Sequence, residues 1–300
     1  MIATVHTETA LPCLPSASGI EIIGPTAYLI GDDSAFLYAL DAATLAVTGR
    51  IPLFATDEFA GQARLPKLEK PDLESMAALR WPNGRPGLLL LGSGSLPNRA
   101  RGWFVPTDGA AAPVPHPLDL APLYARLRPH LPAGAQFNLE AAAASGTELL
   151  LLQRTVGRAD AALLFRLPLA ETLAFLADAA APAPAVRTLR FELPAIEGCP
   201  AGFSGATFVE GRLFVTTSVE DTADAVLDGA VLGSFIGMVD LDAATAVFAR
   251  LAWADGRAYL GKVEGLAARR ALGPGRWELL LVTDDDAGGS TAVVAEVEGT

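Results

Sequence analysis

Cysteine is almost missing from this chain: only Cys13 and Cys199 occur in 300 residues. Two cysteines cannot make a disulfide framework, and these two lack a zinc-ligand spacing, so both are expected to be free structural thiols. Histidine is nearly as scarce. His6, His116 and His130 sit in a terminal strand and two Pro-flanked loops with no partner pattern, and are expected to be exposed or structural. Positive charge is in deficit as well, 22 Lys and Arg against 34 Asp and Glu, a net charge of −12. With no basic run and no basic aromatic stripe, the electrostatic footprint for nucleic acid or an anionic membrane is absent. No uninterrupted apolar stretch reaches bilayer-spanning length, and the first residues lack the basic-then-apolar order of a secretory signal. The expectation is a soluble, cytoplasmic protein. Gly and Pro scatter along the chain and form no linker.

What is present is a repeat. A unit of roughly 55 to 65 residues recurs five times and begins with "SGIEII", "DLESMAAL", "NLEAAAA", "FSGATFV" and "VEGLAA". After a Gly, Pro or Asn turn each beginning is followed by a second apolar segment, "TAYLIGDD", "GLLLLGSGS", "ELLLLQRT", "RLFVTTSVED" and "WELLLVTDDD", so each pair reads as a hairpin. Third strand-like stretches follow: "AFLYALDAATLAV", "RGWFVPTD", "ALLFRLPLAETL", "SFIGMVDLDAATAV" and "TAVVAEVEG". Four units close with a more polar fourth: "TGRIPLF", "APVPHPLDL", "VRTLRFEL" and "FARLAWAD". Four strands per unit with no long helical pattern predict an all-β fold, a β-propeller of four-stranded antiparallel blades. Helix-period segments such as "APLYARLRPH" read as short insertions.

The fifth unit ends one strand short, while the orphan alternating segment "TVHTETALP" precedes the first. The two deficits fit each other, since a propeller closes when one terminus completes the other's blade. The expectation is one domain over 1–300 with five blades, approximately 18–55, 70–120, 136–194, 201–255 and 259–298, closed by residues 4–11. The alternative is six blades, the extra one lying between Ala110 and Ala135.

In a propeller the first strand of each blade lines the central channel. One residue from each beginning gives Ser18, Glu74, Glu140, Ser204 and Glu264, a ring of oxygens. Three carboxylates converging on a narrow axis repel one another, and at least one protonates unless a cation lies between them. An all-oxygen set suits Ca²⁺ with its six to eight ligands, whereas Mg²⁺ or Mn²⁺ needs a tighter octahedron, and the absence of His and Cys disfavours zinc. A metal-free alternative neutralises the ring with Lys70 and Lys262 as a salt-bridge belt. A Glu at a strand start is also, in the plainest case, just a solvated sheet end; its recurrence at one repeat phase argues for the ring.

The second strands end in polar clusters: Asp32 and Asp33, Ser93 and Ser95, Gln153 and Arg154, Ser218 with Glu220 and Asp221, and Asp284 to Asp286. Because the second strand runs antiparallel to the first, these clusters crowd the same mouth as the ring, the usual place for binding chemistry on a rigid scaffold. Cations for an anionic group such as a phosphate are Arg99, Arg101, Arg154, Lys67, Lys70 and Lys262, and Asp32 joins the substrate-binding candidates. The Asp-rich ends read equally as turn formers. Two tempting motifs fail: "GSGSLPNRARG" joins strands and opens no helix, and "GFSGA" lacks the strand-to-helix context and His partner of a nucleophile elbow.

The order Ser, Glu, Glu, Ser, Glu on successive inner strands resembles the calcium-activated nucleotidases (apyrases), five-bladed propellers with a central calcium. "SGIEIIGPTAYLIGDDSAFLYAL" looks like that family's first blade, "GFSGATF" with "TSVED" its fourth, and "KVEGLA" its fifth. The resemblance implies calcium at Ser18, Glu74, Glu140, Ser204 and Glu264, with Asp33 and Arg154 near a substrate phosphate. It departs at Ser34, where the family carries an Arg, and in its thin set of basic and aromatic residues for a nucleobase. More broadly the chain resembles uncharacterised bacterial phytase-like and esterase-like propellers. Two functions follow as expectations: a calcium-dependent hydrolase of a phosphorylated small molecule with Asp33, Glu220 or Asp284 as base, or a non-catalytic binding or interaction propeller with a structural cation.

Overall fold

Runs such as Leu88 to Leu91 carry no polar alternation, which is what a strand covered on both faces requires. The computed structural model describes every residue except 13, 55–64, 67–68, 110–112, 155–161, 223–228, 286–287 and 300; Cys13, Lys67 and Asp286 therefore lie outside the described residues. Strand β1 (Ile2–Ala10) precedes a four-stranded antiparallel sheet of β2 (Ala17–Ile23), β3 (Thr26–Gly31), β4 (Phe36–Asp41) and β5 (Val47–Pro52). A second such sheet holds β6 (Leu73–Arg80), β7 (Pro86–Gly92), β8 (Arg101–Pro106) and β9 (His116–Asp119). The third holds β10 (Leu139–Ala144), β11 (Glu148–Gln153), β12 (Leu163–Pro168) and β13 (Arg187–Arg190).

After the small hairpin of β14 (Ala195–Ile196) and β15 (Cys199–Pro200) come β16 (Gly202–Val209), β17 (Arg212–Asp221), β18 (Ala230–Asp240) and β19 (Thr245–Trp253). The chain then adds β20 (Lys262–Gly273), β21 (Arg276–Asp284) and β22 (Ser290–Glu298). These last seven long strands join β1 in one eight-stranded sheet, ordered β16-β17-β18-β19-β1-β22-β21-β20. Strand β1 pairs antiparallel with β22, from Ile2 opposite Glu298 to Ala10 opposite Thr291, and parallel with β19 at Ala3 to Val5. Both of its edges are thus used, and Ala3 and Val5 are buried.

Packing explains the apolar runs. Leu89 and Leu91 face one core with Leu149, Leu151 and Phe165, while Leu88 and Leu90 face another with Ile30, Leu37 and Trp103. Likewise Leu150 and Leu152 pack against Phe203 and Val215, and Leu280 and Val282 against Ile20 and Leu29. Each middle strand therefore serves the cores on both of its sides. At about 1.5–3 kcal/mol per fully buried aliphatic side chain, these inter-sheet cores supply most of the driving force. The first strands touch in a closed cycle, β2 to β6, β6 to β10, β10 to β16, β16 to β20, and β20 back to β2. Sheets arranged radially around such a cycle make a propeller-like architecture.

Between Ala110 and Ala135 the described residues form β9, helix α1 (Ala121–Leu127) and a short 3₁₀ turn at Arg128–His130, with no further sheet. Helix α1 buries Leu123, Tyr124 and Leu127 and donates the Tyr124 hydroxyl to the carbonyl of Gly92 at 2.5 Å. The stretch "ALLFRLPLAETL" is a strand only as far as Pro168; a helix, α2 (Leu169–Ala177), follows and buries Leu173 and Phe175. No helix among the described residues is long and apolar enough to cross a membrane. Thr188 bonds His130 at 3.1 Å, His116 stacks on Phe104, and His6 lies 3.6 Å from Glu296, so all three histidines sit away from the cycle of first strands.

Candidate metal centre

Every first strand carries an irregularity at the same place, and β20 has two more further along. The pairing register with the second strand slips between Ala17 and Gly19, Leu73 and Ser75, Leu139 and Ala141, Phe203 and Gly205, and Val263 and Gly265. The residues skipped are Ser18, Glu74, Glu140, Ser204 and Glu264. A bulge leaves its extra residue out of the ladder and re-aims the side chain, so the repeat phase read in the sequence corresponds to a repeated backbone device. The residue after each bulge is small, Gly19, Ser75, Ala141, Gly205 or Gly265. The reason is space: a Cβ on Gly205 would lie 2.9 Å from the Cα of Gly265, and one on Gly265 would lie 3.0 Å from the Cα of Gly19.

The five side chains then find different partners. Ser18 donates to the carbonyl of Leu73 on the neighbouring first strand, and Ser204 donates to Thr216 Oγ1 at 3.2 Å within its own sheet. Glu140 and Glu264 meet Arg154, which leaves the end of β11 and is 7% exposed. Arg154 Nη1 donates to Glu140 Oε2 at 3.4 Å and to both oxygens of Glu264 at 3.3 Å, while Nη2 donates to Glu220. Asn138 supports Glu140 from the other side at 2.5 Å, and Lys262 lies 3.4 Å from Glu220 and 3.6 Å from Glu264. Gly202 leaves the room for this arginine, since a Cβ there would lie 2.7 Å from Arg154 Cγ. Burial lowers the guanidinium's proton affinity, but Glu264, Glu140 and Glu220 together hold it well above its ordinary value.

The other half of the site is organised by Lys70. Its ammonium lies 2.5 Å from Asp32 Oδ2, 3.1 Å from Asp33 Oδ1 and 3.2 Å from Asp72 Oδ1. Asp72 Oδ2 also accepts from Arg99 at 2.7 Å and from Ser93 at 2.5 Å. Asp32, Asp72 and Glu74 bring one carboxylate oxygen each within 4.8 Å of the others. Oxygens bound to one Ca²⁺ at about 2.3–2.6 Å are at most about 5 Å apart, so this spacing matches a shared hard cation. Among the described residues Asp32 Oδ1 is buried with no hydrogen-bond partner, and the Lys70 charge is the opposing cation felt by Glu74.

The charge count explains the proton affinities. Asp32, Asp33, Asp72, Glu74, Glu140, Glu220 and Glu264 face Lys70, Arg99, Arg154 and Lys262, which leaves a surplus of negative charge in a desolvated site. Burial and then the neighbouring Glu140, Asp72 and Asp32 push Glu74 well above the usual carboxylate range. Burial raises Asp32 to about 6 against the pull of Lys70, and raises Glu140 to about 7 against that of Arg154. Glu264 is also raised by burial, with Arg154 and Lys262 opposing. Such a site gains from protons or from a cation, and its donor set is oxygen throughout, the chemistry of a hard cation.

Of the remaining sequence candidates, Asp33 is tied to Lys70 and accepts from Ser16 at 3.4 Å, and Glu220 is tied to Arg154 and Lys262. Arg99 is anchored by Asp72 and by Ser95 at 2.9 Å, with its Nε buried and without a hydrogen-bond partner among the described residues. Arg101 is exposed at the start of β8, opposite Asp119 in the ladder. Asp284 stands opposite Lys262, and Asp285 accepts from Gly289 N at 2.6 Å as a turn former. Asp72 escaped sequence reading because it lies two residues before the bulge, where its backbone at φ 55 bends it toward Lys70. The one available signal was "KPDLE", the only blade start with an acid at that offset.

A family model described as a family of unknown function, DUF6929, matches residues 13–297. No curated protein matches the chain. Among solved structures, the glutaminyl cyclase of Myxococcus xanthus aligns over 100% of this chain and 98% of its own at 10% identity and a TM-score of 0.52. The major Malassezia sympodialis allergen Mala s 1 aligns over 97% of this chain and 96% of its own, at 9% identity and a TM-score of 0.50. At such identities the likeness is one of fold.

Proposed function

The chain belongs to the DUF6929 family, a family of unknown function, and we propose that it is a five-bladed β-propeller that binds a divalent cation, Ca²⁺ first, on Asp32, Asp72 and Glu74. The blades of this reading are β2 to β5, β6 to β9, β10 to β13, β16 to β19, and β20 to β22 completed by β1. One observation carries the cation: three carboxylate oxygens lie within 4.8 Å of one another, and Asp32 has a buried oxygen with no hydrogen-bond partner among the described residues. The ligand set differs from the ring Ser18, Glu74, Glu140, Ser204 and Glu264, because Arg154 already serves Glu140 and Glu264 while Ser18 and Ser204 donate to Leu73 and Thr216. On Asp32 and Asp72 the ion would share or displace the Lys70 ammonium.

Asp32, Asp72 and Glu74 would hold the cation beside Arg99, which is bonded to Asp72, and a bound cation would supply charge for a small anionic molecule, a phosphorylated one included, which is the ligand class this reading favours. Hydrolysis is its finer form: the cation would polarise a phosphoryl oxygen, and turnover would require it. A purely structural cation is the second reading. It is favoured by Asp33 and Glu220, the carboxylates best placed as bases, being already held by Lys70 and by Arg154 with Lys262. Calorimetric titration of the chelator-stripped protein with Ca²⁺ is expected to give saturable binding that Glu74→Gln weakens at least tenfold; no heat, or equal affinity in the variant, overturns the cation. A panel of phosphoesters then separates the two readings, since only hydrolysis predicts phosphate release that EDTA stops.

A further inference from the structure

Arg154 is a buried cation of the site that the proposed cation binding leaves in place on Glu140 and Glu264. Its guanidinium is shared by carboxylates of three different strands: Glu140 on β10, Glu220 on β17 and Glu264 on β20. Two of these are bulge residues aimed inward, and Glu140 is further fixed by Asn138. The position is prepared for this side chain, since Gly202 is the residue whose missing Cβ makes room for it. A group held from three sides by anionic oxygens, with about a tenth or less of it exposed, occupies the place an inorganic cation would otherwise take.

We propose that Arg154 is the resident cation of Glu140, Glu220 and Glu264, and that it thereby limits the protein to a single divalent ion, held beside Asp32, Asp72 and Glu74. The inference rests on the cation reading above and adds the residue that sets its stoichiometry. Arg154 acts as a positioning and specificity residue: it keeps the divalent ion off the axis by satisfying the axial carboxylates with an organic charge. Removing it leaves Lys262 alone beside Glu220 and Glu264, and Glu140 with the neutral Asn138 amide as its donor, so that carboxylates of three strands face the vacated place. Isolated buried carboxylates of this kind recruit either protons or a metal.

The test counts Ca²⁺ per chain by equilibrium dialysis on stripped protein at pH 8, where protons compete least. Wild type is expected to bind one ion, Arg154→Met two, and Arg154→Met with Glu264→Gln one again; Arg154→Lys, which keeps a cation, stays at one. Arg154→Met binding no more ions than wild type overturns the inference. Should Arg154→Met be unfolded in chelator, circular dichroism during Ca²⁺ addition decides: refolding with two ions bound supports it, and a chain that stays unfolded in saturating Ca²⁺ overturns it. The two readings fail separately. Wild type with no bound ion removes the Asp32, Asp72 and Glu74 site, while a gain of one ion in Arg154→Met would still uphold the role of Arg154.

Discussion

Replacing Gly205 by Ala tests whether the first strands meet as closely as the site requires. The added Cβ would lie 2.6 Å from Thr216 Oγ1 and 2.9 Å from Gly265 Cα. Neither neighbour is free to yield: Thr216 is buried and held by Ser204, and Gly265 is backbone whose own far side lies against Gly19. Overpacking at such a point costs about 1–3 kcal/mol. For a chain of this length each kcal/mol is worth about 2 °C in Tm, so the variant should melt roughly 2–6 °C lower by scanning calorimetry. Gly49, in the exposed strand β5, meets nothing within 4 Å, and Gly49→Ala should leave Tm unchanged or slightly raised. A Gly205→Ala variant melting with wild type, or alongside Gly49→Ala, would refute the close approach of β16 and β20.

Lys70→Met leaves Asp32, Asp33 and Asp72 without their shared ammonium and should cost about 3–5 kcal/mol of stability in chelator, measured by urea denaturation, with Ca²⁺ restoring more of it than in wild type. Equal loss with and without Ca²⁺ would separate Lys70 from the cation. The pH dependence of the metal-free protein should run opposite to the common case. Glu21, half-buried with the Ala78 amide on it, and Glu140 both titrate near 7 when folded against an ordinary 4.5. The folded state therefore binds more protons than the unfolded one between about pH 4.5 and 7, and stability falls as pH rises through that window. Denaturation midpoints in EDTA should be lower at pH 8 than at pH 5; a rise would contradict the burial of these carboxylates.

The repeat phase was legible in the sequence because the fold writes it twice, as an oxygen-bearing residue and as the small residue after it. Ser18-Gly19, Glu74-Ser75, Glu140-Ala141, Ser204-Gly205 and Glu264-Gly265 are one bulge seen five times. The terminal strand was legible for a similar reason: "TVHTETALP" alternates and the fifth unit lacks a partner for it. Its parallel pairing with β19 was not, because a backbone ladder between two outer strands leaves no side-chain period to read. Helix α2 was hidden by the apolar run before it, where strand and helix patterns overlap until Pro168 ends the strand. In the site, sequence phase named Glu74, Glu140 and Glu264 and the cations Lys70, Arg154 and Lys262, but missed Asp72 and did not say which acid each cation pairs with. Which acid Arg154 or Lys70 reaches depends on side-chain length and on gaps such as Gly202, and none of that is periodic.

The central claim is the place of the ion, and anomalous scattering from a Mn²⁺-soaked crystal of the wild-type protein locates it directly. The account predicts one peak within bonding distance of Asp32, Asp72 and Glu74, with Arg154 still on Glu140 and Glu264. A peak on the axis between Glu140 and Glu264, or none at either place at saturating Mn²⁺, would contradict it.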